Sequence, residues 1–298
     1  MRFAVLIMWL LHWLPLPILA RIGEGLGSLL YLILSRRRHI CLTNLRLCFP
    51  QMPESERKKI TRRHFQVYVR SVLERGILWW SSERRLRKLI HVDYAMPMAE
   101  MTSSPTIFMC PHFVSLDVAG VAVMLESSLC SIYTTQRNKT FDKALRKGRS
   151  RFRPVKLFSR AEGVKPIIRA MKENLPFFML PDMDFGAKDA EFVSFFGVPA
   201  ATLTALPRIA AATHAKVIPV IASIRPGYDG WDVKFDKAWE DYPHQDIVSS
   251  TRFMNAYIES EILKMPAEYF WTHRRFKTRP EGEPSVYKNT QQFHDTHH

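Results

Sequence analysis

The stretch TIFMCPHFVSLDVAG, residues 106–120, runs from five apolar or near-apolar residues into a Pro-His pair, with an acid, Asp117, five positions after His112. Thr106–Cys110 reads as a short strand buried on both faces, and the residues from 118 onward read as a helix. A buried strand that turns into a helix is half of the unit that builds a parallel sheet.

The same texture continues downstream. Strand-like runs recur at Ser131–Thr135, Val155–Phe158, Phe177–Leu180 and Val217–Ile224, with helical patterns at about 118–126, 139–149, 163–174 and 202–214 between them. The clearest helix carries Val164, Ile167, Ile168 and Met171 at i, i+3, i+4 and i+7. Unbroken apolar strands alternating with helices predict an α/β fold, a mixed and largely parallel central sheet flanked by helices. The segment WDVKFDKAW (231–239) alternates with period two and is expected at the edge of that sheet with one wet face. A last helix is expected at about 246–264, and a long one at 52–80 with Pro53 in its first turn.

In such sheets ligands bind beyond the carboxyl ends of the strands. On one continuous helix His112 and Asp117 would sit about 140° apart. At a strand-to-helix turn they can meet, and the spacing predicts Asp117 reaching back to one imidazole nitrogen. A carboxylate there fixes the tautomer and makes the other nitrogen a base able to deprotonate a hydroxyl. A loop histidine followed by a helix-start acid is the plainer reading of the same spacing.

The formal net charge is +15, from 43 Lys and Arg against 28 Asp and Glu. A surface this basic attracts polyanions: nucleic acid, an anionic membrane face, an acidic protein or a phosphorylated ligand. The charge clusters. Residues 134–156 hold nine basic side chains, Arg137 and Arg149 among them, against one acid, Asp142. Arginine suits a bidentate grip on phosphates and carboxylates. MLPDMDFG (179–186) ends a strand with Asp182 and Asp184, acids able to bind a metal, orient substrate hydroxyls or cap a turn. YFWTHRRFKTRP (269–280) mixes aromatic and basic residues as a lipid-headgroup interface does, and as an RNA-binding face also can. No nucleic-acid motif accompanies these charges, so a membrane-tethered nucleic-acid binder is the lesser reading. Cys41, Cys48, Cys110 and Cys130 fit no metal spacing and no disulfide framework; they read as small buried residues in a reducing compartment.

The N-terminus is strongly apolar. Residues 3–20 carry no charge apart from a protonatable His12, and residues 22–35 end at Arg36-Arg37-Arg38. Apolar length followed by a basic stop suggests a membrane anchor with the bulk of the chain on the cytoplasmic side. Pro15 and Pro17 would bend or end a helix. The pattern leaves a full span, a re-entrant segment and an interfacial hairpin all open.

Taken in order, the anchor, His112-x4-Asp117, YTTQRNKTFDKALRKGRSRF (133–152), LPDMDFG (180–186), FFGVPAATLTA (195–205) and WTHRRFKTRPEG (271–282) resemble the bacterial lipid A biosynthesis acyltransferases, the late lauroyl/myristoyl transferase family. The resemblance covers nearly the whole chain. The Glu-Gly-Thr-Arg motif of related glycerophospholipid acyltransferases is absent. The resemblance implies a glycerolipid-acyltransferase-like fold, with residues 1–38 as anchor, 39–282 as catalytic domain and 283–298 as a polar flexible tail. It implies acyl transfer from acyl carrier protein to a hydroxyl of an anionic, Kdo-linked lipid A precursor, on the cytoplasmic face of the inner membrane. No cofactor, metal or nucleic acid is needed. His112 would be the base, Asp117 its orienting partner, and Arg137, Arg149, Asp182 and Asp184 substrate-binding residues. Two departures bear on acceptor position and chain length: many relatives carry Glu at the end of the dyad, and Tyr-Arg-Pro where this chain has Tyr133-Thr134-Thr135. Acylation of another hydroxyl lipid, such as an ornithine lipid or lysophospholipid, is the nearest alternative.

Overall fold

Pro15 and Pro17 shape the start of the chain. Proline is tolerated in the first turn of a helix and not in its interior. Accordingly α1 (Arg2–Leu11) stops, and α2 (Leu16–Ile33) begins with Pro15 at its N-cap. Three more helices follow, α3 (Ser35–Cys48), α4 (Glu54–Trp80) and α5 (Glu83–Leu89). Strands and helices then alternate: β1 (Ile90–Tyr94), α6 (Met98–Met101), β2 (Thr106–Met109), α7 (Leu116–Glu126), β3 (Leu129–Tyr133), α8 (Lys139–Gly148), β4 (Val155–Ser159), α9 (Lys165–Lys172) and β5 (Phe177–Met179). A hairpin of β6 (Ala190–Phe195) and β7 (Val198–Leu203) leads to α10 (Ala205–Thr213), β8 (Lys216–Ile224), β9 (Trp231–Phe235) and α11 (Ile247–Lys264). The computed structural model describes residues 2–136 and 138–287.

The seven-stranded sheet has the order β1-β9-β8-β2-β5-β3-β4. All neighbours are parallel except β8 and β9, so the sheet is mixed and largely parallel, as expected. Alternate residues of β2 serve opposite faces. Phe108 packs with α4, α5 and α7, whereas Ile107 and Met109 pack with α3, α9, α10 and α11. Both faces are covered, which is why these strands lack a polar side.

Three expectations need correction. β9 lies inside the sheet, because β1, which has only weak apolar alternation, pairs along its outer side. The 269–280 segment is no headgroup interface: Tyr269, Trp271, Arg275 and Phe276 are all buried. Arg275 donates to the Ala201 carbonyl (2.9 Å) and to Thr202 Oγ1 (2.7 Å), so its charge is spent bracing β7. Glu283, Pro284 and Ser285 are exposed, but the tail is tied down at Tyr287, which is buried and whose hydroxyl bonds to Asn44. His294, His297 and His298 lie outside the described residues.

α1 and α2 are part of the body. Met8, Leu16 and Leu19 belong to the same core as Phe108 and Val118. α2 meets α4 backbone to backbone. A Cβ on Gly23 would fall 2.5 Å from Arg70 Cα, and one on Gly27 would fall 2.5 Å from Gln66 Cα, so only glycine fits. All four cysteines are buried free thiols, as their sequence context predicts.

Candidate active site

The crossover pattern brings β2 and β5 side by side although 70 residues separate them. Their parallel register pairs Ile107 with Phe177, Phe108 with Phe178 and Met109 with Met179. Three residues beyond Met109 is His112, and three beyond Met179 is Asp182. The two side chains therefore emerge together at the carboxyl edge, where open sheets form their crevices. His112 Nδ1 lies 2.6 Å from Asp182 Oδ1, and the His112 backbone N–H donates to Asp182 Oδ2 at 3.0 Å. The His112 loop is also pinned from the other side: Phe270 N–H donates to the His112 carbonyl (3.0 Å), and Val114 N–H donates to the Glu268 carbonyl (2.8 Å).

Asp182 is 1% exposed. Burial alone would raise its carboxyl, but the charge and hydrogen bonds of His112 pull it below the usual carboxylate range. An ionised Asp182 holds the proton on Nδ1 and leaves Nε2 as the basic nitrogen toward the cavity that His112 lines.

Asp117 does something else. It sits in the first turn of α7, and its Oδ1 accepts from Arg149 Nε (3.1 Å) and Nη2 (2.6 Å), while Oδ2 accepts from Arg75 Nε (2.7 Å). Burial pushes the Asp117 carboxyl up, and the Arg149 and Arg75 guanidiniums outweigh it, holding the group ionised and far below its ordinary range. The expected Asp117–His112 contact is thus replaced by Asp182–His112. α7 turns Asp117 toward α4 and α8, where two arginines outcompete one imidazole for it. Arg75 was invisible as a site residue, lying in a helix whose other arginines face solvent or the core. Each guanidinium keeps N–H groups that Asp117 does not take.

Asp184 is also placed differently from expectation. Its carboxylate accepts from Thr278 N–H (2.6 Å), Thr278 Oγ1 (2.7 Å) and Gly186 N–H (3.0 Å), so it braces the 182–186 loop against the 273–278 strap. The Asp184 N–H donates to His273 Nε2 (3.1 Å). Burial and the charges of His112 and Arg275 push the His273 imidazole down to about 4, keeping it a neutral acceptor. Asp184 does not line the cavity. Arg137 lies outside the described residues. Arg151, from the same basic run, is consumed by the carbonyls of Leu78 (3.0 Å) and Ser81 (2.5 Å) at the end of α4.

His112, Asp117, Arg75 and Arg149 line one cavity of about 610 Å³. Its wall continues over Gly120, Val121, Met124, Val155, Leu157 and Phe178, contributed by α7, β4 and β5. A base and a cationic pair share one chamber with a long apolar lining. Such a chamber suits a substrate with a polar reacting centre and a hydrocarbon tail.

Comparison with known proteins agrees with that chemistry. The sequence profile of the bacterial lipid A biosynthesis acyltransferases matches residues 2–278. The lipid A biosynthesis palmitoleoyltransferase of Escherichia coli is 31% identical over 288 residues, which cover 96% of this chain and 93% of that one. The lipid A biosynthesis lauroyltransferase of the same organism is 30% identical over 284 residues, covering 94% and 92%. The crystal structure of a 1-acyl-sn-glycerophosphate acyltransferase from Thermotoga maritima aligns at a TM-score of 0.39 with 12% identity, over 82% of this chain and 97% of that one. With a profile match that takes in the cavity wall, His112, Asp182 and both arginines on Asp117, this chain belongs to the bacterial lipid A biosynthesis acyltransferases.

Proposed function

We propose that the protein transfers a fatty acyl chain from acyl carrier protein to a hydroxyl of a Kdo-linked lipid A precursor, at the cytoplasmic face of the bacterial inner membrane. The observation that carries the reading is the His112–Asp182 pair opening into an apolar-walled cavity beside Arg75 and Arg149.

His112 Nε2 takes the proton of the acceptor hydroxyl as its oxygen bonds to the thioester carbonyl carbon. The Asp182 carboxylate steadies the imidazolium through Nδ1–H. Negative charge collects on the former carbonyl oxygen, and the guanidiniums held by Asp117 are suited to stabilise it or to bind a phosphate of the acceptor. Collapse breaks the carbon–sulfur bond, and the leaving thiolate takes the proton back from His112. Every bond made and broken is accounted for without a cofactor or a covalent enzyme intermediate. Asp117 is then a positioning residue. An acidic carrier protein and an anionic acceptor both complement a chain with a net charge of +15.

The test is mass spectrometry of a tetra-acylated Kdo-lipid A precursor incubated with acyl carrier proteins loaded with chains of graded length, using wild type and His112→Ala. A gain of one acyl chain that disappears with His112→Ala supports the reading and reports the chain length. Transfer that survives His112→Ala in folded protein removes the base. Transfer to ornithine lipid or lysophospholipid but not to the precursor replaces the acceptor.

A further inference from the structure

Three arginines line the cavity, Arg75, Arg149 and Arg160, and Asp117 engages only the first two. Arg160 follows β4 and begins a single 3-10 turn, Arg160–Glu162. The acid nearest to it along the chain is turned away. Glu162 accepts from the Ser159 N–H, while Ser159 Oγ accepts from the Ala161 N–H (3.2 Å), a capping box that closes the turn on its own backbone. Gly163 ends the turn at a φ of 70°, where a side chain would be strained. Among the described residues no carboxylate forms an ion pair with Arg160.

The Arg160 guanidinium rests on a ring instead. Its Cζ stands 4.0 Å from the ring centroid of Phe185, which also lines the cavity and is itself 44% exposed. A ring face attracts a cation without neutralising it, and it leaves the N–H groups at the guanidinium edge unspent. Such a pair stabilises little at an exposed site; what it does achieve is a fixed, undischarged cation on the cavity wall. Phe185 comes from the loop after β5, three residues beyond the acid that orients His112. One loop thus sets both the base and the ring that carries Arg160.

This cation stands apart from the pair on Asp117. In the sheet order β2-β5-β3-β4, the strand leading to Arg160 is three places from the strand leading to His112, roughly 14 Å at ordinary strand spacing. A substrate whose reacting carbon lies at His112 Nε2 would meet Arg160 only with a group well removed from that carbon.

We infer that Arg160, held on Phe185, is a second anion subsite of the cavity and takes a phosphate ester of a bound substrate, at a distance from the bond that reacts. This rests on the acyl-transfer reading of the site. Both substrates of that reading carry such a group, the donor on its phosphopantetheine arm and the acceptor on its sugar. Arginine matches two phosphate oxygens with two parallel N–H groups.

Isothermal titration of the detergent-solubilised full chain tests it with two pairs of probes. One pair is S-dodecyl phosphopantetheine and S-dodecyl pantetheine, thioethers that cannot transfer a chain. The other is the tetra-acylated precursor and the same lipid stripped of its phosphates. In wild type the phosphorylated member of at least one pair should bind about tenfold or more tightly than its partner. Arg160→Gln should cut that preference by about tenfold and leave the affinity of the phosphate-free member where it was, and Arg160→Lys should keep part of the preference. Arg160 is exposed, so neither substitution empties a core position. The pair that responds identifies the source, donor arm or acceptor sugar. An equal loss on both members of each pair, or a preference unchanged by Arg160→Gln, overturns the subsite. Because binding is read without turnover, failure of the proposed reaction shows separately. A wild type with the Arg160-dependent preference that transfers no acyl chain removes that reaction and leaves the subsite standing.

Discussion

His112 takes its character from Asp182, and Asp117 takes its own from two arginines; single substitutions can tell these jobs apart. Asp182→Asn keeps the shape but removes the charge that holds Nδ1 protonated. We expect kcat to fall by about 10²–10⁴-fold with the KM for the acyl donor little changed. Asp117→Asn leaves His112 untouched and loosens Arg75 and Arg149, so the loss should be on the order of 10²-fold, with the acidic limb of the pH–rate profile, where the base becomes protonated, preserved. If Asp117→Asn alone shifted that limb, Asp117 would after all be the partner of the base. His64 makes a prediction about stability. It is fully buried, its Nδ1 bonds to the Ala267 carbonyl (3.0 Å), and burial, partly opposed by that bond, lowers its pKa to about 4 from the ordinary 6.5. Between those values the unfolded chain binds a proton that the folded protein refuses, so this stability contribution is intact above pH 6.5 and is lost as pH falls toward 4. His64→Leu lacks that titration. The stability gap between wild type and variant should therefore move by about 2 kcal/mol in favour of the variant between pH 7.5 and pH 5, read from paired urea melts.

Two elements carry most of what is specific to this chain, α2 and α7. Gly27→Leu would place a side chain where Gln66 Cα already stands, so α2 must lift from α4. Overpacking of this kind costs about 1–3 kcal/mol, and protease cleavage within residues 12–35 should rise in step. On α7, Gly120 lines the cavity, and a Cβ there would meet Phe178 Cε1 at 4.0 Å, an ordinary contact. Gly120→Leu should therefore fold normally, with up to about 1 kcal/mol gained from helix propensity. Its extra methyls would occupy the apolar lining, and donor preference in a competition among acyl carrier proteins should move to shorter chains. An unchanged preference would put the acyl tail elsewhere. α4, α8, α9, α10 and α11 were readable from pattern, because each exposes one face and buries another, and α7 from its apolar run; α3, α5 and α6 were not. β1 and the β6–β7 hairpin were not, since short strands with mixed burial carry little periodic signal.

For the molecule as a whole, charge is the lever. A net +15 should speed encounter with an acidic carrier protein and do so less as salt is raised. We expect kcat/KM for an acyl carrier protein donor to fall several-fold between 50 and 300 mM NaCl, and that for a small thioester donor to change far less. Equal salt dependence would mean that the basic surface serves the lipid acceptor instead. Two arginines of the basic run at 134–156 are already committed within the fold, Arg149 to Asp117 and Arg151 to the end of α4. The charge available for a partner is accordingly smaller than composition implies.

The sequence by itself determined the α/β class, the apolar N-terminus, the family and the position of His112 at the end of a buried strand. Those properties reside in local composition, in periodicity and in motifs that stay contiguous along the chain. Only the tertiary structure decided which acid touches the histidine. Asp117 is five residues away and Asp182 is seventy, yet the parallel register of β2 with β5 carries His112 and Asp182 to the same edge. Only the fold, likewise, laid α2 along α4, because backbone contact at Gly23 and Gly27 depends on a partner helix that hydropathy does not see.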